Sequence, residues 1–215
     1  MLFRSGDVTA SIADGNIEGS YDGRIVRVNP AVPMADAAYR ASITGHLTGR
    51  MRVDQALRRP ATLDDYRMEG TLLATDSSVR GIALTRAEAR ATMQGPVVSV
   101  ARVVGQGPIA DLEAFGSLAL DGVRESSLAF HASRVDVHAL RELTGVDAAG
   151  IAVVDGRLSG TTTRPRVSGS AHVSGLSASG ASADNGELNW STTLPDWDSR
   201  QARGHLDVDR SEEHT

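Results

Sequence analysis

His131, Asp136 and His138 are the nearest this chain comes to a set of metal ligands. A transition-metal centre needs three or four donors converging on one point, about 2 Å from the ion. His131 falls in an alternating, strand-like run, whereas Asp136 and His138 open a helix-like one, so their spacing fixes no common centre. Solvated surface side chains are the better reading. Gly105-Gln-Gly-Pro-Ile-Ala110 echoes a dinucleotide-binding turn. Pro108 and the lack of a following amphipathic helix deny it the helix N-terminus that would hold a pyrophosphate, and a loop is expected there. Serines are plentiful, yet no G-x-S-x-G elbow occurs. Carboxylates are scattered among turn-like positions, where Asp and Asn favour turn geometry, so no two of them form an evident acid/base pair. With no cysteine, thiol catalysis, disulfides and cysteine-zinc sites are excluded. The expectation is a non-enzymatic protein with no catalytic residues, no metal and no cofactor.

What would position any site is a series of strands. Short apolar/polar alternations recur, with Gly about every ten residues, and their period is two rather than 3.6. In Val167-Ser-Gly-Ser-Ala-His-Val173, Val167, Gly169, Ala171 and Val173 share one face while Ser168, Ser170 and His172 share the other. Leu188 and Trp190 alternate with Glu187, Asn189 and Ser191, and Leu118/Leu120, Leu128/Phe130 and Leu206/Val208 follow suit. Arg86-Ala-Glu-Ala-Arg-Ala-Thr-Met93 has helix-favouring residues, but Ala87, Ala89, Ala91 and Met93 alternate, and a strand is expected. Asp136 to Gly145 reads as a short helix with Asp136 as N-cap and Gly145 as its stop, Leu140 and Leu143 capping the end of a strand layer.

The strands recur in order. Gly45-His-Leu-Thr-Gly49 matches Gly156-Arg-Leu-Ser-Gly160, Met68-Glu-Gly-Thr71 matches Val167-Ser-Gly-Ser170, Gly81 matches Gly180, and Gly116-Ser-Leu-Ala-Leu-Asp121 matches Gly204-His-Leu-Asp-Val-Asp209. The offsets are 111, 99, 99 and 88 residues, and Arg27-Val-Asn29 precedes Arg134-Val-Asp136 by 107. One unit is therefore about a hundred residues long. The expected organisation is a first β-repeat over 6–135, preceded by a partial unit at 6–29, a linker helix at 136–145, and a second, truncated repeat at 146–209. Met1 to Ser5 and Arg210 to Thr215 read as translated short-read adapter sequence, so both ends are expected to be artificial and the chain an internal fragment.

Aromatic residues make up 4% of the 215, and Gly numbers 22, which is poor material for a deep core and suits a thin, extended sheet. The fold class expected is all-β: an elongated, curved or groove-like repetitive antiparallel sheet of short strands, with one or two short helices. A net charge of −5 spread along the chain disfavours nucleic acid and a polybasic membrane patch. All 22 basic residues are Arg, as in proteins of GC-rich bacterial genomes. No apolar run approaches the roughly 20 residues of a membrane helix, so an anchor is expected only outside this fragment. A two-faced sheet without bulk must pack on something or curl over an apolar client. Sixteen methylenes would need about 13 kcal/mol of shielding at about 0.8 kcal/mol each, more than one small pocket supplies.

The run Asp155-Gly-Arg-Leu-Ser-Gly-Thr-Thr-Thr-Arg-Pro-Arg-Val-Ser-Gly-Ser-Ala-His-Val-Ser-Gly-Leu176 resembles the recurring signature of AsmA/TamB-like proteins, G-x-L-x-G, then x-P-x-V-x-G, then an alternating strand. The Val-Asp-Val-His-Ala-Leu linker and the closing Gly-x-Leu-x-Leu/Val-Asp strand are similar to theirs, and the likeness covers most of residues 6–209. The resemblance implies a segment of an inner-membrane-anchored protein of a diderm bacterium, whose β-groove crosses the periplasm. It implies phospholipid or another hydrophobic envelope client, and an outer-membrane barrel partner reached through a C-terminal region not visible here. Groove-lining positions would then be Leu118, Leu120, Leu128, Phe130, Leu188, Trp190, Leu206 and Val208. Two rivals stand beside it. A secreted adhesive β-solenoid would want stacked positions every 20 to 30 residues, and a carbohydrate-active β-enzyme would want an aromatic platform and paired carboxylates.

Overall fold

The computed structural model describes residues 2–29, 41–79, 81–141, 147–178, 181–195 and 203–209. The fold is all-β, with antiparallel strands whose order in the sheet is their order in the chain. They are β1 (Leu2–Ala13), β2 (Asn16–Val28), β3 (Ala41–Val53), β4 (Tyr66–Val79), β5 (Ile82–Gln94), β6 (Val97–Gln106), β7 (Asp111–Ala119), β8 (Ser126–Asp136), β9 (Ala148–Thr161), β10 (Arg164–Ala178), β11 (Ala181–Thr193) and β12 (Arg203–Asp209). Two compact units divide them: Met1–Pro108 with Phe115–Asp121, and Ile109–Ala114 with Gly122–Thr215. The strands are longer than the glycine spacing implies, because Gly19, Gly23, Gly45, Gly49 and Gly70 sit inside strands rather than ending them. The segment 86–93 is a strand, within β5.

In the first unit, directly paired residues share a face, so the ladders sort the side chains. Ala10, Gly19, Met51, Met68, Met93 and Val98 form one cross-strand row. Val8, Tyr21, Gly49, Gly70, Ala91 and Val100 form the next, followed by Gly6, Gly23, Leu47, Leu72, Ala89 and Val103. The opposite face carries rows such as Thr9, Ser20, Arg50, Glu69, Thr92 and Ser99. The core lies toward the β2–β3 connection, where Ile25 and Ala74 are buried. Ser77, buried beside them, accepts from the Thr44 N–H and has the Thr75 and Thr44 carbonyls within reach of its one hydroxyl proton, which removes the cost of an unmade bond.

The second unit sorts the same way. Leu128, Leu158, Val167 and Thr192 are in register, as are Phe130, Gly156, Gly169 and Trp190, and Ala132, Val154, Ala171 and Leu188. Val135, Ala152 and Val173 form its buried cluster, with Val137, Leu176 and Leu188 packed against it. At the end of β8, Asp136 Oδ1 accepts hydrogen bonds from the backbone N–H of His138 (3.0 Å) and Ala139 (3.3 Å). Asp136 thus caps a helical turn, as expected, but the described turn is a 3-10 segment, His138–Leu140. Residues 142–146 of the expected helix, Leu143 and Gly145 among them, lie outside the described residues, as does the Leu140 side chain.

Strand order makes β3, β4 and β5 the counterparts of β9, β10 and β11. In both copies the ladder shifts register within the middle strand, and Asp76 (φ 46°) and Gly175 (φ 63°) take the left-handed conformation there, 99 residues apart. Arg27 (φ 50°) and Arg134 (φ 52°) do the same where β2 and β8 bulge. These bulges place the repeat in the backbone itself. Two of the sequence matches move: register pairs Gly49–Gly70 with Gly156–Gly169, so Gly49 rather than Gly45 answers Gly156, and β6 rather than β7 answers β12. An added Cβ at Gly175 would meet nothing within 4 Å, so its only cost is backbone conformation. Gly175→Ala is therefore expected to lower stability by about 1 kcal/mol, and Asp76→Gly to raise it by a similar or smaller amount, both read from denaturant midpoints at unchanged slope.

Candidate functional site

An apolar concavity lies over the first unit's sheet face, with a volume of about 680 Å³. That lies within the range of small-ligand sites. Its floor is the Gly49–Gly70 pair with Ala91 beside it, and its walls are Met51, Met68 and Met93 on one side and Leu47 and Leu72 on the other. Three alternating strands bring the methionines into one directly paired row, and Met51 (38%) and Met68 (42%) remain exposed. A thioether on a flexible stem reshapes around different apolar partners at little cost, so this wall is adaptable. Every in-register position from β2 to β5 on this face, over the three rows described, is apolar, aromatic or glycine, so the face offers no charge and no side-chain amide. Its strands already pair on both sides, which leaves little backbone free to bond a peptide.

Charge is confined to the other face. Arg52 and Arg67 stand directly opposite each other on β3 and β4. Glu18 and Asp54 offset that repulsion: Arg52 bonds Glu18 Oε1 and Asp54 Oδ1, each at 2.7 Å, and Arg67 pairs with Asp54 Oδ2. His131 Nδ1 is 2.8 Å from Asp155 Oδ1 across β8 and β9, while Asp136 is engaged as the cap, so neither is turned toward His138 as a co-ligand. Among the described residues, no group of three or more His, Cys, Asp or Glu could hold a metal ion, and no helix is long and apolar enough to cross a membrane.

The connection from β3 to β4 folds back against the β1–β2 turn. Its Leu57 N–H donates to the Gly15 carbonyl (3.2 Å) and its Gln55 N–H to Asn16 Oδ1 (2.9 Å). A single-turn 3-10 segment, Leu63–Asp65, ends it, and the buried Asp65 carboxylate accepts from Arg59 through both oxygens and from the Thr62 N–H (2.8 Å). The Arg59 hydrogen bonds, then that of Thr62, lower the Asp65 pKa from 3.8 to about 2. A depressed carboxylate stabilises the fold fully above its unfolded pKa, and that contribution fades as pH falls from about 4 to 2. Asp65→Asn is expected to flatten the acid side of the stability profile in that window. At pH 7 the variant should be cut by trypsin after Arg58 about ten times faster, measured by limited proteolysis.

Of the residues expected to line a groove, Leu128, Phe130, Leu188 and Trp190 fall on one face of the second unit, all partly buried. Leu206 pairs in register with Trp190 and Val208 with Leu188; their side chains lie outside the described residues. Leu118 lies in β7, partly buried, whereas Leu120 falls beyond the end of that strand, 43% exposed, its N–H bonded to the Pro96 carbonyl (2.8 Å). The Leu118/Leu120 alternation thus ends with the strand. Sequence reasoning missed Leu47, Met51, Met68 and Leu72. The signal available was three of the five methionines at alternating positions in apolar/polar runs.

No protein-family model, no curated protein and no solved structure matches this chain.

Proposed function

We propose that the chain is a non-enzymatic segment of an envelope-biogenesis protein of the AsmA/TamB kind, working in the periplasm, whose apolar sheet face shields the hydrocarbon of a lipid or similar client. The observation that carries the reading is the first unit's face of apolar, aromatic and glycine positions over three cross-strand rows, open over a concavity of about 680 Å³. Hydrocarbon is the occupant it suits, because nothing along the floor would bond a polar ligand and the Met wall tolerates variable apolar shape. At about 0.8 kcal/mol per methylene, a face crossing several strands supplies the shielding that a long chain requires.

Leu72 and Thr71 are neighbours in β4 on opposite faces, and so make a clean test. A photocrosslinking amino acid at either position, in protein expressed in a bacterial periplasm, is expected to capture phospholipid at position 72 and not at 71 by mass spectrometry. Adducts at neither position, or equally at both, would refute the reading.

A further inference from the structure

The two copies treat the same seat differently. In the second unit the Gly156–Gly169 pair is covered from both sides: a Cβ at Gly156 would overlap the tip of the Phe130 ring at Cζ, and one at Gly169 would come within 2.7 Å of Trp190 Cζ2. Aromatic rings laid over strand glycines bury backbone that would otherwise be wet. In the first unit the equivalent pair is Gly49–Gly70, flanked in register by Tyr21 and Ala91. Ala91 stands where the second copy has Trp190, and leaves that side low. Tyr21 donates its hydroxyl to the Arg24 carbonyl (3.1 Å), and its ring lies by Gly6, where an added Cβ would be 3.0 Å from Cε2. A Cβ at Gly49 or Gly70 would find only backbone within 4 Å.

We propose that the two units divide the work: the Gly49–Gly70 seat of the first unit takes one hydrocarbon chain, and Phe130 and Trp190 fill the equivalent seat of the second unit and shut the client out. The second copy indicates what fits over the glycine pair, namely uncharged carbon about as thick as an aromatic ring, which is close to the cross-section of an acyl chain. The lack of polar groups along the first unit's floor favours hydrocarbon over a peptide. The inference rests on the shielding function proposed above and adds where the client sits.

Fluorescence titration of the full chain with cis-parinaric acid tests it. Wild type is expected to bind one equivalent. Ala91→Trp, which carries the second unit's residue into the first, should weaken binding at least tenfold. The double variant Phe130→Ala/Trp190→Ala should bind two equivalents, and this gain cannot arise from misfolding of the Ala91 variant. Unchanged affinity in Ala91→Trp, or a stoichiometry still at one in the double variant, would overturn the division of work. A wild-type chain that binds no probe would instead sink the shielding function itself.

Discussion

Gly169→Val is expected to cost about 3 kcal/mol or more and to disrupt the second unit's sheet, because the new side chain has no space on either side of the backbone. Its Cβ would lie 2.9 Å from Gly156 Cα and 2.7 Å from Trp190 Cζ2, and closer still to the Asp155 carbonyl oxygen. Trp190 could swing away, but the β9 backbone could not without breaking its ladder with β10. Overpacking against a rigid neighbour costs more than the volume alone implies. The control is Gly186→Ala, in the adjacent strand, whose added methyl would meet only Leu176 Cδ2 at 3.8 Å. That change should stay within about 0.5 kcal/mol. Urea unfolding followed by tryptophan emission separates the two. If Gly169→Val matched Gly186→Ala, the close approach of β9 and β10 would not be a feature of the folded chain.

That contrast also shows which parts of the fold could be read from residues alone. Strand identity and facing were legible because alternation is local: Ala87 to Met93, Val167 to Val173 and Leu188/Trp190 each declare a face within a few residues. Pairing across strands was not, because it depends on register. Gly45 and Gly49 have the same spacing as Gly156 and Gly160, so a slide of four residues still lays one glycine on another, and only the ladders select Gly49 as the counterpart of Gly156. The methionine row was invisible for the same reason, since Met51, Met68 and Met93 come from three strands. Left-handed Arg27 and Arg134 could not have been found either, because β bulges normally announce themselves with Gly or Asn and these carry neither. Conversely, alternation marks Phe130 and Trp190 as groove-lining candidates but not that both lie against the Gly156–Gly169 pair, because that too depends on register.

Leu72→Asp and Thr71→Asp are expected to diverge most in client retention while differing little in fold. Leu72 is only partly buried and pairs with Leu47 and Ala89 along the groove wall, so a carboxylate there remains able to reach water when the groove is open. With a hydrocarbon chain in place it would have to be desolvated, with Gly49, Gly70 and apolar walls as its surroundings and no cation on that face to pair with. Burying a polar group without a partner costs about 2–3 kcal/mol at the least, which corresponds to a loss of affinity of roughly 30- to 100-fold. Asp at position 71 joins a row that already holds Thr48 and Arg90, where it gains a neighbouring guanidinium and loses nothing. Copurifying phospholipid, measured by mass spectrometry after extraction, should fall to background for Leu72→Asp and stay at the wild-type level for Thr71→Asp, with thermal midpoints of the two within a few degrees. Equal losses would mean that the client is held by the charged face, where Arg50, Arg52 and Arg67 would meet headgroups, and the apolar face would then have to be explained by packing on a further layer of protein.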